Sequence, residues 1–236
     1  MAPSAAAAGL QSKDIASPQD VAIAEGVEFA FLRCAGIEDG PSGAHVRRAY
    51  IAPFMDLVPE IDGTVFVAPT SAIVGAVRIG ANSSVWHNVT IRGDNNYVTV
   101  GENTNIQDNT CIHIDSRSHP TIIGNDVTIG HSALVHACTI GDGGFVGMGA
   151  IIMDGAVIEP TGMLAAGAML TPGKTIPAGE LWAGRPARKM RDLSADDLAN
   201  NRRSAAHYVE VARAHRLGFD GGPFEEMEWR PLPPKN

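Results

Sequence analysis

From Val67 onward the apolar positions of the chain recur every six residues. Val67, Ile73, Ile79, Val85 and Ile91 keep the period, and after a slip of three residues it resumes at Val100, Ile106 and Ile112. A longer insertion leads to Ile123, Ile129 and Val135, and a one-residue deletion to Ile140, Val146, Ile152, Ile158, Leu164, Leu170, Ile176 and Trp182. Eighteen of these nineteen positions are Val, Ile or Leu, types that fill only 48 of the 236 positions, so composition alone does not produce the period. Gly75, Gly80, Gly101, Gly124, Gly130, Gly141 and Gly147 each directly follow a Val or Ile, and small residues, Asn and Asp fill much of the space between. Each unit reads as a very short strand and a turn, with the branched side chain inward and polar neighbours outward. Such a unit cannot bury its apolar residue alone. Three of them predict one triangular coil of 18 residues that covers the apolar floor of the next. The predicted fold class is therefore an all-β solenoid, a parallel β-helix of hexapeptide repeats. A β-sandwich of short strands has no reason to hold one period for so long.

Composition agrees with a narrow prism: 44% of residues are hydrophobic but only 6% aromatic, and 26 are glycine. With 18 Lys plus Arg against 26 Asp plus Glu, the net charge of -8 argues against nucleic acid as a partner. No apolar run approaches the roughly 20 residues of a transmembrane segment. Cys34, Cys111 and Cys138 are odd in number and far apart, which argues against a disulfide framework and for a reducing compartment. The chain divides into an N-terminal extension over 1–63, partly irregular or disordered, the β-helix over 64–190, a C-terminal helix over 191–218 and a Pro-rich tail over 219–236. A short helix is expected within PQDVAIAEGVEFAFLRCAGI. Ser194 and Asp197 form a capping-box pattern at the head of the C-terminal helix. Leu198, Ala205, Tyr208, Ala212 and His215 fall near one side of it, so the helix is expected to lie antiparallel along the prism.

The period also serves as a ruler. Numbering the hexads one to three and round again from Val67 puts Ile112 and Val135 on the second face, one coil apart, although 23 residues separate them. His113 and His136 each follow that apolar corner by one position, so they are predicted to stack. Coils lie about 4.8 Å apart, and two imidazoles at that spacing can share an ion with Zn–N bonds near 2.0–2.1 Å. His131 falls two positions after Ile129 on the first face, around the corner from the pair. A neighbouring protomer supplies it most simply, which places the metal between subunits of a trimer. Arg92 follows Ile91 on the histidine face, Gln107 follows Ile106 on the first face, and Asp94 and Asp108 are close by in sequence; such polar groups are what a metal site needs to orient its ligands. An isolated His-x4-His is usually a pair of solvated turn residues, and it is the stacking of His113 on His136 that favours a metal. His45, His87, His119, His207 and His215 have no evident partners and read as surface or packing residues.

The segments RGD (Arg92, Gly93, Asp94), NIQDN (Asn105 to Asn109), GHSALVHACTIGDGGFVGMGA (Gly130 to Ala150) and WAGRPAR (Trp182 to Arg188), with His113, resemble the gamma-class carbonic anhydrases over about residues 60 to 215. The likeness is strongest to the eukaryotic branch that sits on mitochondrial respiratory complex I, and bacterial cytosolic members share most of the motifs. The resemblance implies a left-handed β-helix and a homo- or heterotrimer of gamma carbonic anhydrase-like subunits. It implies Zn2+ held by His113 and His136 of one protomer and His131 of the next, and carbonate dehydratase (lyase) activity on carbon dioxide and bicarbonate. It further implies an intersubunit ion pair between Arg92 and Asp94, a role for Gln107 in orienting metal-bound water or bicarbonate, a contribution from Tyr208, and Asp108 and Asn105 as supporting or interface residues. The implied location is the matrix side of the inner mitochondrial membrane, on the complex I membrane arm, with the cytoplasm as the alternative.

The chain departs from the family pattern where protons leave. Asn95 stands where a Glu follows RGD, and the loop IDSRSHPT after His113 offers only Asp115 and His119. In the terminal helix Tyr208 is present, but Glu210 replaces the Asn of a Tyr-x-Asn. These changes leave zinc binding better supported than fast turnover, and make a silent assembly scaffold of a respiratory complex the second function class. A hexapeptide-repeat acyltransferase is the third; it needs one histidine as general base, not three. Residues 1 to 17 contain no Arg and only Lys13, a poor match to a transit peptide, so mitochondrial targeting would need a removed presequence or an internal signal.

Overall fold

The computed structural model describes residues 38, 39, 45, 46 and 49–219. The helix expected near the N-terminus, the disorder expected over 1–17 and the Pro-rich tail lie outside the described residues. The repeat builds a parallel β-solenoid whose register follows the six-residue ruler at every position. On the first face Val67, Val85, Ile106, Ile129, Val146, Leu164 and Trp182 pair in succession. On the second the order is Ile73, Ile91, Ile112, Val135, Ile152 and Leu170. On the third it is Ile79, Val100, Ile123, Ile140, Ile158 and Ile176. These columns are the core, in which all but the end members Val67 and Trp182 are buried. Each such side chain contributes about 1.5–3 kcal/mol by leaving water.

Turns are stacked as tightly as strands. Asn82, Asn103 and Asp126 take positive φ at one corner and pass side-chain hydrogen bonds from coil to coil at 3.3 and 3.2 Å, which explains the Asn and Asp between the apolar positions. At Gly147 an added Cβ would come within 2.2 Å of the Ala166 backbone nitrogen, so glycine there is a condition of coil contact.

The three breaks in the period share one corner, between the second and third faces. The slip from Ile91 to Val100 is absorbed within Thr90–Val100, which runs around the corner beside Ala72–Ile79 with a register shift. The step from Ile112 to Ile123 carries the loop between Cys111–His113 and Thr121–Ile123. The shortened step from Val135 to Ile140 turns through Ala137 at φ 49°.

The solenoid begins ahead of residue 64. Tyr50–Ala52 pairs with Ala72–Val74 and Glu60–Ile61 with Arg78–Ile79, and Ile51 and Ile61 pack on the core. Ile61 stands one hexad before Val67, so the period reaches back one step further than the run from Val67. At the other end Arg188–Asp192 closes the first-face sheet antiparallel to Glu180–Ala183, with Lys189 bridging Glu180 and Asp192 at 2.7 Å each. Residues 191 and 192 therefore belong to a strand, and the helix, α1, spans Ala195–Phe219.

The capping box is reciprocal. Asp197 N–H donates to Ser194 Oγ at 3.1 Å and Ser194 N–H to Asp197 Oδ2 at 2.8 Å. Arg191 donates to the same carboxylate at 2.6 and 3.1 Å and, with Ser194, holds it well below the usual carboxylate range. α1 runs antiparallel along the first face: Asn201 lies by Met163 near its start, and the His215 ring lies near its end by Phe66 and Trp86, with centroids 5.6 and 5.0 Å away. Ala205 and Ala212 are the buried contacts.

Two outcomes follow from this packing. Ile129 is 0% exposed at the centre of its column, so Ile129→Ala is expected to lower the unfolding free energy by about 2–5 kcal/mol in urea titration. Burial, and the charge of nearby His87, hold the His215 imidazole below its ordinary range against the opposite pull of Asp108. The docked helix thus favours neutral His215, and a released helix takes up the proton first. Docking is fully stabilised above about pH 6.5 and weakens as pH falls through the lowered value. Amide-exchange protection of α1 should fall over that range, and His215→Phe should remove this dependence; protection that is flat with pH in the unmodified chain refutes it.

Candidate metal centre

The corner that breaks the period gathers charged and imidazole groups. His113 and His136 are register partners in adjacent coils, as the ruler predicts, with ring centroids 5.2 Å apart. The bulge of Thr90–Val100 brings Asp94 beside them, with Oδ1 3.3 Å from His113 Nε2 and the other oxygen bound by Arg92. Arg92 and Asp94 are thus paired within the chain. Next to His136, Asp154 Oδ1 lies 2.6 Å from Nδ1. Asp154 was not among the candidates read from sequence. It lies two positions after Ile152, which pairs with Val135 one coil further along the same face.

The two carboxylates decide how the imidazoles are protonated. A carboxylate only accepts, so His113 places its N–H on Nε2 and His136 on Nδ1. The remaining nitrogens, His113 Nδ1 and His136 Nε2, face each other at 3.2 Å. Both then present lone pairs, an arrangement that a shared cation relieves. A separation of 3.2 Å is what two Zn–N bonds of 2.0–2.1 Å give at roughly 100–106°, close to tetrahedral. Burial and the Arg92 charge push the His113 imidazole below its ordinary range, outweighing Asp94, which keeps the ring in the neutral form a metal requires. Burial acts to raise Asp94, but the Arg92 hydrogen bond and charge prevail and hold it low. Cys138, two residues past His136, is no competing ligand: burial, with the Asp154 charge, pushes its thiol up to about 12.

The other candidates form a second cluster on the first face. Gln107 Nε2 donates to Asn105 Oδ1 at 3.0 Å, and Asn105 Nδ2 donates to Thr128 Oγ1 at 2.9 Å, all three residues buried. His131 Nδ1 lies 2.9 Å from Asp108 Oδ2, which leaves Nε2 as the free nitrogen, and the side chain is 42% exposed. Tyr208 of α1 stands edge-on to Trp86, and burial, with the Asp108 charge, raises its phenol. Within one chain, among the described residues, no three His, Cys, Asp or Glu side chains converge as a ligand set. The candidates thus fall into two separate groups. One has two histidines oriented by carboxylates; the other has one histidine oriented by a carboxylate, with a buried Gln beside it.

The hexapeptide-repeat β-solenoid defines a class, and comparison with known proteins narrows it. The chain is 47% identical over 174 residues to gamma carbonic anhydrase 1, mitochondrial, of Arabidopsis thaliana, covering 72% of this chain and 63% of that protein's length. It is 37% identical over 166 residues to the carbonic anhydrase of Geobacillus kaustophilus, covering 70% and 91%. A hexapeptide transferase family protein of Anaplasma phagocytophilum has a similar structure, with TM-score 0.68 and 46% identity over 70% of this chain and 98% of that one. No family model matches the chain. The chain belongs to the gamma carbonic anhydrase family.

The carboxylate contacts give a test that needs no turnover. Asp154→Asn is expected to weaken zinc binding about 10- to 100-fold in chelator competition, since the group that orients His136 is lost. Unchanged affinity would show that Asp154 does not support a metal ligand.

Proposed function

We propose that this chain is a zinc carbonic anhydrase that interconverts carbon dioxide and bicarbonate at sites shared between the subunits of a trimer. One observation carries the reading: His113 and His136 face each other at 3.2 Å with their outer nitrogens taken by Asp94 and Asp154. Two such ligands with His131 of a neighbouring subunit make a three-histidine set, which leaves a coordination position open, the pattern of catalytic zinc. Bound there, zinc supplies a water-derived nucleophile at neutral pH. Asp94, Asp154 and Asp108 fix the three imidazole tautomers. Gln107, steadied through Asn105 and Thr128, offers its carbonyl oxygen as an acceptor for a hydroxyl of water or bicarbonate. Tyr208, kept protonated by burial and the Asp108 charge, is a hydrogen-bond donor available on this face. Arg92 balances the charge of Asp94.

An acyltransferase leaves the histidine pair and its two carboxylates without a role, and a silent scaffold has no use for an open coordination position. The name of the plant relative supports a mitochondrial location. The matrix side of the inner membrane and a place on the complex I membrane arm follow from the resemblance to the eukaryotic branch.

Mixed assembly tests the shared site. His131→Ala and His136→Ala should each abolish stoichiometric zinc and carbon dioxide hydration as pure proteins. Refolded together at equal ratio, they should recover about one quarter of both, because random assembly pairs an intact His113/His136 half with an intact His131 half at one interface in four. A mixture that stays zinc-free refutes the shared site.

A further inference from the structure

His113 and His136 are each oriented by a carboxylate, yet the two contacts are not equally protected. The His113 and Asp94 side chains are 20% and 14% exposed, in the bulge where Arg92 also binds Asp94, whereas those of His136 and Asp154 are 30% and 42% exposed. Water competes for a hydrogen bond that it can reach, and a bond that orients a metal ligand must persist. Among the described residues, the His136–Asp154 contact stands open on its outer side.

The register of the coils shows what can cover it. Ile129 pairs with Val146, and His131 and Met148 follow them by two positions, so Met148 stands one coil beyond His131 at the same corner. The backbone agrees: Gly149 N–H donates to His131 O at 2.8 Å. Met148 is 58% exposed, a large apolar side chain left in solvent where the equivalent positions of the three preceding coils carry His87, Asp108 and His131. Levels along the solenoid can be counted at about 4.8 Å per coil. His131 precedes His136 by five residues within one coil, which puts it about 1 Å from the level midway between His113 and His136. A threefold axis parallel to the solenoid leaves every level unchanged, so it carries the neighbour's His131 to the height at which the facing nitrogens take a third ligand. The same rotation carries the neighbour's Met148, one coil on, to the height of the His136–Asp154 contact.

We propose that Met148 of each subunit is a positioning residue of the neighbour's metal site, its thioether lying over the His136–Asp154 hydrogen bond and keeping water from it. An apolar neighbour is already in place: Met153 follows Ile152 as His136 follows Val135, and it is partly buried beside Asp154. Methionine suits the task, because its unbranched chain adapts to an irregular surface and its sulfur is too weak an acceptor to compete for the imidazole N–H. Met148 touches neither metal nor substrate; it acts through the carboxylate that holds His136. This cover rests on the shared-site reading above, and its test separates the two.

Zinc loss to excess chelator is timed on full-length, zinc-loaded unmodified protein, Met148→Ala and Met148→Leu, with the mass of the native assembly measured on each. Met148→Ala should lose zinc about tenfold faster at unchanged mass, and Met148→Leu, which keeps the apolar bulk, should stay within about twofold of the unmodified rate. Mixed assemblies show which subunit supplies the cover. When His131→Ala and His136→Ala chains are refolded together, each rebuilt site takes His113 and His136 from the first chain and His131 from the second. Met148→Ala added to the His136→Ala chain should hasten zinc loss, and the same change in the His131→Ala chain should not. Equal rates in all variants at full zinc, loss from Met148→Leu as fast as from Met148→Ala, hastening that follows the His131→Ala chain, or dissociation of the Met148→Ala assembly overturns the cover alone. Unmodified protein that holds no stoichiometric zinc overturns the shared site and the cover with it.

Discussion

Backbone hydrogen bonding between coils fixes the distance from each residue to its counterpart one turn away, and the rest of the molecule depends on that spacing. Because parallel strands sit about 4.8 Å apart, a column of equivalent positions becomes a line of atoms in mutual contact. Inward, the line is a stack of Ile, Val and Leu that excludes water from the prism. At the corners it is a ladder of Asn and Asp side chains, each satisfying the next. Outward on the second face the same spacing turns His113 and His136 into facing imidazoles. A core constraint and the spacing of the imidazole pair are thus one dimension of one structure.

The places where the repeat fails are as informative as the repeat. Its three interruptions all fall between the second and third faces, at the corner occupied by Asp94, His113, His136 and the loop to His119. A strictly periodic coil presents only a two-residue turn at such a corner, as at Asp154 and Gly155. Extra length within Thr90–Val100 brings Asp94 to His113, and the loop after His113 carries His119 to Gly155. The solenoid's regular part supplies rigidity, and its irregular part supplies the groups that a flat wall cannot project. Local departures from an otherwise consistent pattern mark function for this reason.

Charge arrangement completes the picture. Each of the three histidines has one nitrogen occupied by an aspartate, which leaves one nitrogen per ring in a chosen direction. Arg92 keeps Asp94 ionised so that this orientation persists, and burial keeps His113 neutral. The histidine pair and His131 lie on different faces of the same prism, each with its own aspartate. α1 covers the first face beside the His131 group, where Trp86, Tyr208 and His215 fill the space between helix and sheet.

Much of this was legible in the chain itself, because hydrophobic periodicity is a local property that survives without knowledge of contacts. The hexad determined the solenoid, the assignment of residues to faces, the stacking of His113 on His136 and the exclusion of His131 from their side. The Ser194 and Asp197 pattern likewise placed the head of α1. Other features were decided only in three dimensions. That Ile51 and Ile61 already belong to the solenoid depends on pairing across a gap in the period. That Asp154 reaches His136, and that Arg92 closes on Asp94 within the chain, depends on where side chains project from a corner whose shape the insertions alter. That the His119 ring comes to rest by Gly155, 36 positions away, is a contact no linear spacing announces. Period is written along the backbone, but a site is made where the backbone leaves its period, and there only the folded geometry decides which groups meet.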